Sequence, residues 1–324
     1  MKILTIFTGG TIGCSSFDGV LSPDKANSYL LLDMYLKSHT GVDFIPVQPY
    51  TILSENLNGS NLATLYECIS SYNLNDFDGI IVTHGTDTLQ YTASYLSYCF
   101  GLREIPIVMV SANYPLTDDL SNGYINFCSA VDFIKSGNHR GVFVSYKNTA
   151  ESFTTIHRAS RALPHLPYSD DVYSIFNSVY GKVKNGTFTK NVSYYEEADS
   201  NDFVCNPKLS ESSDVLYIRP YAGINYPEIT TDTKAILLEG YHSGTLNTSS
   251  VGLKNFCSKA YEMGVPVFLT GACKGFYYES KKLFSDLKIN VLPSASPIAM
   301  YMKLWILEKS NIGNVFLSFG GDFN

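Results

Sequence analysis

Short, β-branched apolar runs recur along this chain, and longer stretches of helical period separate them. "KILTIFT" (2–8), "GIIVTH" (79–84), "IPIVMVS" (105–111) and "GVFVSY" (141–146) are predominantly apolar. A strand apolar on both faces has to be covered on both faces. A parallel sheet with crossover helices on either side meets that condition. The stretches between the runs supply the helices. "NLATLYECISSYN" carries Leu62, Leu65, Ile69 and Tyr72 at roughly helical spacing. "TLQYTASYLSYCFG" ends in glycine, a common helix stop, and "NGYINFCSAVDFIKSGN" ends in Gly-Asn after Lys135.

The alternation breaks between residues 182 and 213, where the chain is polar and rich in turn signals. A short β-hairpin followed by a linker fits that stretch. Strands resume with "VLYIRP", "AILLEG", "PVFLTG" and "NVLP", and "SPIAMYMKLWILEKS" reads as a helix. The expected fold class is therefore α/β. A larger N-terminal domain over 1–190 holds a mostly parallel sheet flanked by helices. A linker covers 191–213, and a smaller C-terminal α/β domain covers 214–324. At 324 residues and 45% hydrophobic content the chain is long enough for two cores.

Charge and cysteine usage exclude several functions. The formal net charge is -7, from 23 basic and 30 acidic residues, with no basic block. Nucleic-acid binding needs clustered Lys and Arg, so none is expected. The seven cysteines are scattered and never spaced CxxC, which argues against a disulfide framework or a zinc site. The first apolar run is too short for a signal peptide, and no stretch approaches the roughly 18 residues of a membrane span. A cytoplasmic protein without membrane contact is expected.

In open α/β sheets ligands bind beyond the carboxyl ends of the strands. Three loops stand out there. Thr8-Gly9-Gly10-Thr11-Ile12-Gly13 matches neither the dinucleotide fingerprint nor a P-loop. It is a glycine turn with a capping Thr11, or a cleared space in which a substrate reaches that hydroxyl. His84-Gly85-Thr86-Asp87-Thr88 sets a hydroxyl beside a carboxylate, as a helix cap or as a pair that positions a proton. "LSENLNGS" (53–60) reads, alone, as a capping loop.

Taken together, "TGGTIG" and "HGTDT", each after a strand, resemble the L-asparaginase family in its bacterial, type I-like branch. "IPIVMVSANYPLTDDLSNGYIN", "GVFVSYKN", "VLYIRPYAGI" and the C-terminal "VFLSFGGDF" are similar to further stretches of it, so the resemblance covers most of the chain. It implies an amidohydrolase that cleaves a side-chain carboxamide to carboxylate and ammonia through a covalent acyl-enzyme. By motif, Thr11 matches the nucleophile, and Thr86 and Asp87 match the second threonine and its acidic neighbour. Ser54 and Glu55 match the loop that holds the substrate's α-carboxylate and α-amino group, with Asn56 replacing a more acidic residue. Gly9, Gly10 and Gly85 would let backbone N–H groups approach the developing oxyanion. The resemblance implies no metal or organic cofactor. Its partners are a small amino-acid amide substrate and further copies of the chain, as a homodimer or homotetramer. Ser243, Thr245 and Asn247 of "GYHSGTLNT" stand where a neighbour's loop would close the site, or form an ordinary polar turn.

Two positions depart from the family pattern. Arg158 falls in the register of the lysine that pairs with the second threonine and the acid. An arginine stays protonated, so it would orient Asp87 rather than accept a proton; Arg161 and Lys147 are the nearby substitutes. Val20 falls near the place of a loop tyrosine, with Phe17 lacking a hydroxyl and Tyr29 further on. Three functional classes follow. The first is an amidohydrolase acting on L-asparagine or L-glutamine. The second is an amino-acid-binding protein with weak or lost turnover. The third, a component of a tRNA-dependent amidotransferase, fits poorly with the acidic charge and with a first strand at residue 3.

Overall fold

A computed structural model describes all residues except 11, 13, 18–19, 24–28, 104 and 273–277, and gives the backbone alone for 14–17 and 20–23. Among the described residues the chain forms β1 (Lys2–Phe7), β2 (Cys14–Phe17), β3 (Val20–Pro23), β4 (Asp43–Val47), β5 (Gly79–Thr83), β6 (Pro106–Val110), β7 (Gly141–Tyr146), β8 (Thr154–Arg158), β9 (Gly181–Lys184) and β10 (Thr187–Lys190). The helices among them are α1 (Leu30–Ser38), α2 (Gly59–Ser70), α3 (Leu89–Phe100) and α4 (Gly123–Lys135). Strands β2 and β3 pair as a separate hairpin, and the other eight form one sheet in the order β10-β9-β8-β7-β6-β5-β1-β4. The pairs from β4 through β7 are parallel. Strands β8, β9 and β10 extend the sheet antiparallel.

The sheet is covered on both faces, as its apolar strands require. Alternate side chains of β1 divide between the layers. Leu4 and Ile6 pack with Leu62 and Leu65 of α2 and Ala93 and Leu96 of α3. Ile3 and Phe7 pack with Leu31 and Tyr35 of α1 and Phe127 and Ala130 of α4. This division fixes the hand of the connections. Strand β1 reaches β4 through α1 on one face, and β4 returns past β1 to β5 through α2 on the other. The β6–α4–β7 crossover advances in the same direction as β5–α3–β6 but over the opposite face, so its hand is reversed. Right-handed crossovers are the rule, which makes β6–α4–β7 the left-handed exception.

The smaller sheet is parallel, in the order β11 (Val215–Ile218), β12 (Ala235–Glu239), β13 (Val267–Thr270) and β14 (Ile289–Val291). Helices α5 (Val251–Glu262), α6 (Glu279–Lys282) and α7 (Pro297–Ile306) accompany it. Ile298, Met302 and Leu304 of α7 pack into the same core as Ala93 and Leu96 of α3. The last residues cross this joint. Ser160 Oγ donates to the Gly320 carbonyl at 2.8 Å. Arg161 donates to the carbonyls of Gly321 and Phe323 and to Asn324 Oδ1.

The structure holds no helix, among the described residues, that is long and apolar enough to cross a membrane. Cys68, Cys99, Cys128, Cys205 and Cys257 are free thiols.

Candidate active site

The sheet order 4-1-5-6-7 places its topological switch point between β1 and β5, where the connections leave toward opposite faces. A crevice opens there at the carboxyl ends of the strands. Three of the loops singled out in the sequence meet at that place. After β1 the chain turns through Gly9 and Gly10 at φ +99° and +79°, a region that L side chains avoid. Gly10 N donates to the Ile52 carbonyl at 2.9 Å, and Ile52 N donates to the Thr8 carbonyl at 3.1 Å, which ties this turn to the segment before Ser54. A Cβ on Gly10 would stand 2.3 Å from Cα and N of Gly85. A Cβ on Gly85 would stand 2.5 Å from Ser54 Oγ. Gly10, Gly85 and Ser54 are therefore in van der Waals contact, and glycine is what allows it.

Hydrogen bonds lock the loops together. Ser54 Oγ donates to Asp87 Oδ2 at 3.3 Å, and Thr88 Oγ1 donates to the Ser54 carbonyl at 2.8 Å. Thr8 Oγ1 donates to the Thr83 carbonyl at 2.7 Å, which holds the β1 exit against the β5 exit. Ser54 is buried, Thr86 is half-buried, and Asp87 and Glu55 are exposed at the mouth. The amides of Gly85, Thr86, Asp87 and Thr88 donate to no acceptor among the described residues. They precede α3 and point their donors, with the positive end of the helix dipole, toward the crevice. Such an array suits a carboxylate or a developing oxyanion.

His84 supports the second loop from beneath. Its Nδ1 lies 2.8 Å from the Gly85 carbonyl, and its Nε2 lies 2.8 Å from Thr92 Oγ1. A carbonyl only accepts, so Nδ1 carries the proton and Nε2 accepts from Thr92. Burial pushes the ring down to about 4, against a smaller upward pull from the Gly85 backbone. The neutral ring fixes the Gly85 peptide. His157 on β8 is buried likewise and pushed down to about 3.

These two rings set an expected acid sensitivity. Both imidazoles have pKa values below 6.5 in the folded chain, and unfolding returns them to it. Below pH 6.5 the unfolded chain takes up protons that the folded chain does not. Stability therefore falls with pH from 6.5 toward 4, by about 2–3 kcal/mol for each ring at pH 4.5. Urea unfolding of the wild type and of His157→Gln at pH 7 and pH 4.5 checks this. The variant loses less stability on acidification; an equal loss refutes the assignment.

Other sequence-based assignments fall elsewhere. Thr11 lies outside the described residues, and so do the side chains of Phe17 and Val20. Tyr29 precedes α1, exposed, with its ring edge-on to Phe7 at 5.4 Å. Ser243, Thr245 and Asn247 lie in a turn beyond β12 that folds on itself, with Tyr241 N donating to the Thr245 carbonyl at 2.9 Å.

The expectation for Arg158 is corrected. Strand β8 runs antiparallel to β7, and Arg158 pairs with Phe143 near the amino end of β7. Thr86 and Asp87 follow the carboxyl end of β5, so the length of the sheet separates them from Arg158. The Arg158 guanidinium is fully buried. It binds Glu196 at 2.7 Å, Tyr194 Oη at 3.3 Å and the Arg140 carbonyl at 2.9 Å, and stacks on Phe143 at 4.2 Å. Arg161 is occupied by the C-terminal tail. Lys147 follows β7 on the crevice side and makes no ion pair among the described residues. No cluster of three or more His, Cys, Asp or Glu able to hold a metal ion occurs among the described residues.

Reading the sequence missed His84 as a support, Thr8 and Thr88 as links, and His165, whose imidazole feels the Asp87 carboxylate. The signal for Thr8 and Thr88 was present in their motifs. Nothing local marked His165, which lies in a long irregular stretch.

A doubly wound sheet with glycine loops meeting at its switch point, joined to a smaller parallel α/β domain, is the architecture of a small-molecule enzyme. The family pattern described as "Asparaginase, N-terminal" matches residues 2–186, more than half of the chain, and the chain belongs to this amidohydrolase family. It is 26% identical over 286 residues to a glutamyl-tRNA(Gln) amidotransferase component from Methanosphaera stadtmanae, covering 82% of this chain and 63% of the relative. With the L-asparaginase of Thermococcus kodakarensis it shares 26% over 253 residues, covering 75% and 72%. The chain spans less than two thirds of the length of two of the amidotransferase components it matches, at 63% and 66%. The solved L-asparaginase of Thermococcus kodakarensis superposes with a TM-score of 0.79 at 21% identity, covering 100% and 99% of the two chains. L-asparaginase I from Vibrio cholerae gives 0.77, also at 21%. These likenesses show the fold.

Proposed function

We propose that this protein hydrolyses the side-chain carboxamide of L-asparagine, and of L-glutamine less readily, to the acid and ammonia. The observation that carries the reading is the contact of Gly10, Ser54 and Gly85 beside Asp87 at the β1/β5 switch point. Thr11, next after Gly10, is the nucleophile that forms the acyl-enzyme. The free amides at Gly85–Thr88 receive the substrate's carboxylate or the oxyanion. Thr86 and Asp87 handle the proton that leaves the attacking hydroxyl and later the water that releases the acid. A Thr hydroxyl is a weak nucleophile at neutral pH, so it depends on such a pair. The protein acts as a cytoplasmic homodimer or homotetramer.

A second reading comes from the relatives. Several of them are amidotransferase components, in which case glutamine is the amide and a partner protein receives the ammonia. The same assay separates the two. Ammonia release from asparagine by the isolated chain supports the first. Release from glutamine alone, faster with a partner present, supports the second. Calorimetric binding of either amino acid without ammonia makes the protein a binder. Thr86→Val is expected to lower kcat by about 100-fold or more, with the fold intact by circular dichroism. A kcat within about twofold of wild type removes Thr86 from the mechanism.

A further inference from the structure

With Arg158 and Arg161 engaged at the other end of the sheet, the partner of Asp87 has to come from another element. Asp87 is exposed, and Ser54 Oγ at 3.3 Å is a long contact for a carboxylate that has to hold one orientation. His165 stands on the same edge. Its ring lies edge-on to that of Tyr146, the last residue of β7, with centroids 5.7 Å apart. Its Nε2 is shielded from solvent and has no hydrogen-bond partner among the described residues. A buried ring nitrogen without a partner costs about 1–3 kcal/mol, so its retention calls for a use. The carboxylate of Asp87 lies within electrostatic reach of this imidazole.

We propose that His165 is the positioning residue for Asp87: its imidazole on the β7 edge fixes the orientation of the carboxylate beside Thr86, and its unpartnered Nε2 engages when substrate closes the crevice. The proposal rests on the amidohydrolase reading for its function, but not for its geometry. The groups that face the ring are the Tyr146 side chain from β7, Asp87 from the β5 loop, and Asp170 and Asp171 from its own segment. Burial holds the ring below its ordinary pKa, while Asp170, Asp87 and Asp171 pull it upward. His165 is therefore neutral at neutral pH and gains a charge opposite Asp87 on acidification. Catalytic hydrogen bonds are often open in unliganded enzymes and tighten with substrate, which accounts for the free nitrogen.

Two measurements test this. The first is an NMR titration of the His165 ring in the wild type and in Asp87→Asn. Loss of the carboxylate is expected to lower the His165 pKa by about 0.5 unit or more. An unchanged value overturns the pairing, whether or not the protein has activity. The second is steady-state ammonia release by His165→Gln and His165→Lys, with melting temperatures as controls. For His165→Gln a kcat about tenfold lower is expected, with KM within about twofold and the acid limb of the pH profile displaced. His165→Lys is expected to restore part of kcat. A fall in kcat that follows the melting temperature, with the pH profile unmoved and no rescue by lysine, marks a structural role and overturns the proposal. If the wild type releases ammonia from no amide, the amidohydrolase reading fails, while the titration still decides whether His165 and Asp87 are paired.

Discussion

Gly10→Ala removes at least about 99% of amide turnover, whereas Gly41→Ala leaves it intact. The two glycines share a backbone state, with φ of +79° and +81°. Alanine at either position incurs the strain of the left-handed region, on the order of 1 kcal/mol. They differ in what surrounds them. A Cβ on Gly41 meets nothing within 4 Å, while a Cβ on Gly10 would lie 2.3 Å from Cα and N of Gly85 and 2.9 Å from the His84 carbonyl carbon. All three atoms are backbone, so no rotamer change relieves the clash. The β1 and β5 exits have to move apart. That movement displaces Thr11 from the free amides of Gly85 and Thr86. A misplacement of about 1 Å at a reacting centre is worth about 100-fold in rate. Ammonia release by the two variants, with thermal melts of each, is the measurement. Comparable melting shifts with divergent turnover are expected. If Gly10→Ala keeps more than about a tenth of wild-type kcat, the contact between the loops is not what builds the site.

The same contact explains what could be read in the sequence. The strands were legible because they are buried on both faces and so are apolar throughout: β1, β5, β6 and β7 fall within the runs chosen for them. Strand β8 was not legible. "TTIHR" is polar, yet all five residues are buried, because each polar group finds a partner supplied by a distant segment. Thr154 accepts from Ser129 at 2.8 Å, His157 pairs with Ser174 at 2.8 Å, and Arg158 binds Glu196. Hydropathy cannot register a strand that is buried by pairing.

This is also why Arg158 misled. Its place along the chain matched a family lysine, but β8 runs antiparallel and carries it to the amino end of β7. A motif fixes spacing along the chain, whereas the edge of the sheet a residue reaches depends on strand direction. Ser54, Gly85 and Asp87 were legible because each follows a strand or short turn that ends at the switch point. His165 reaches the same edge from an irregular stretch of the chain, with no period or motif to announce it.

Asp322→Ala is expected to lower unfolding free energy by about 3–5 kcal/mol, the larger effect coming from what it leaves behind. Lys303 of α7 and Asp322 of the tail are both fully buried, with Nζ 2.7 Å from Oδ2. The carboxylate also accepts from Tyr98 Oη of α3 at 3.1 Å and from Phe319 N at 3.1 Å, and Lys303 donates to the Leu317 carbonyl. Burial pulls the Lys303 ammonium down from its usual pKa and pushes the Asp322 carboxyl up; each is held charged by the other. Removing the carboxylate strands the ammonium away from water and leaves Tyr98 without its acceptor. Removing both charges does not: Lys303→Met with Asp322→Leu restores most of the stability, since a buried pair and a well-packed apolar pair are nearly equivalent. The pair also bears on the site. Tyr98 lies in the last turns of α3, whose first residue follows Asp87 and Thr88 directly, so the tail anchors the helix that carries the catalytic loop. Urea midpoints of the single and double variants measure the first effect, and kcat at low temperature measures the second. If Asp322→Ala unfolds within about 1 kcal/mol of wild type, the ammonium has found water and the joint between α3, α7 and the tail is looser than its burial indicates.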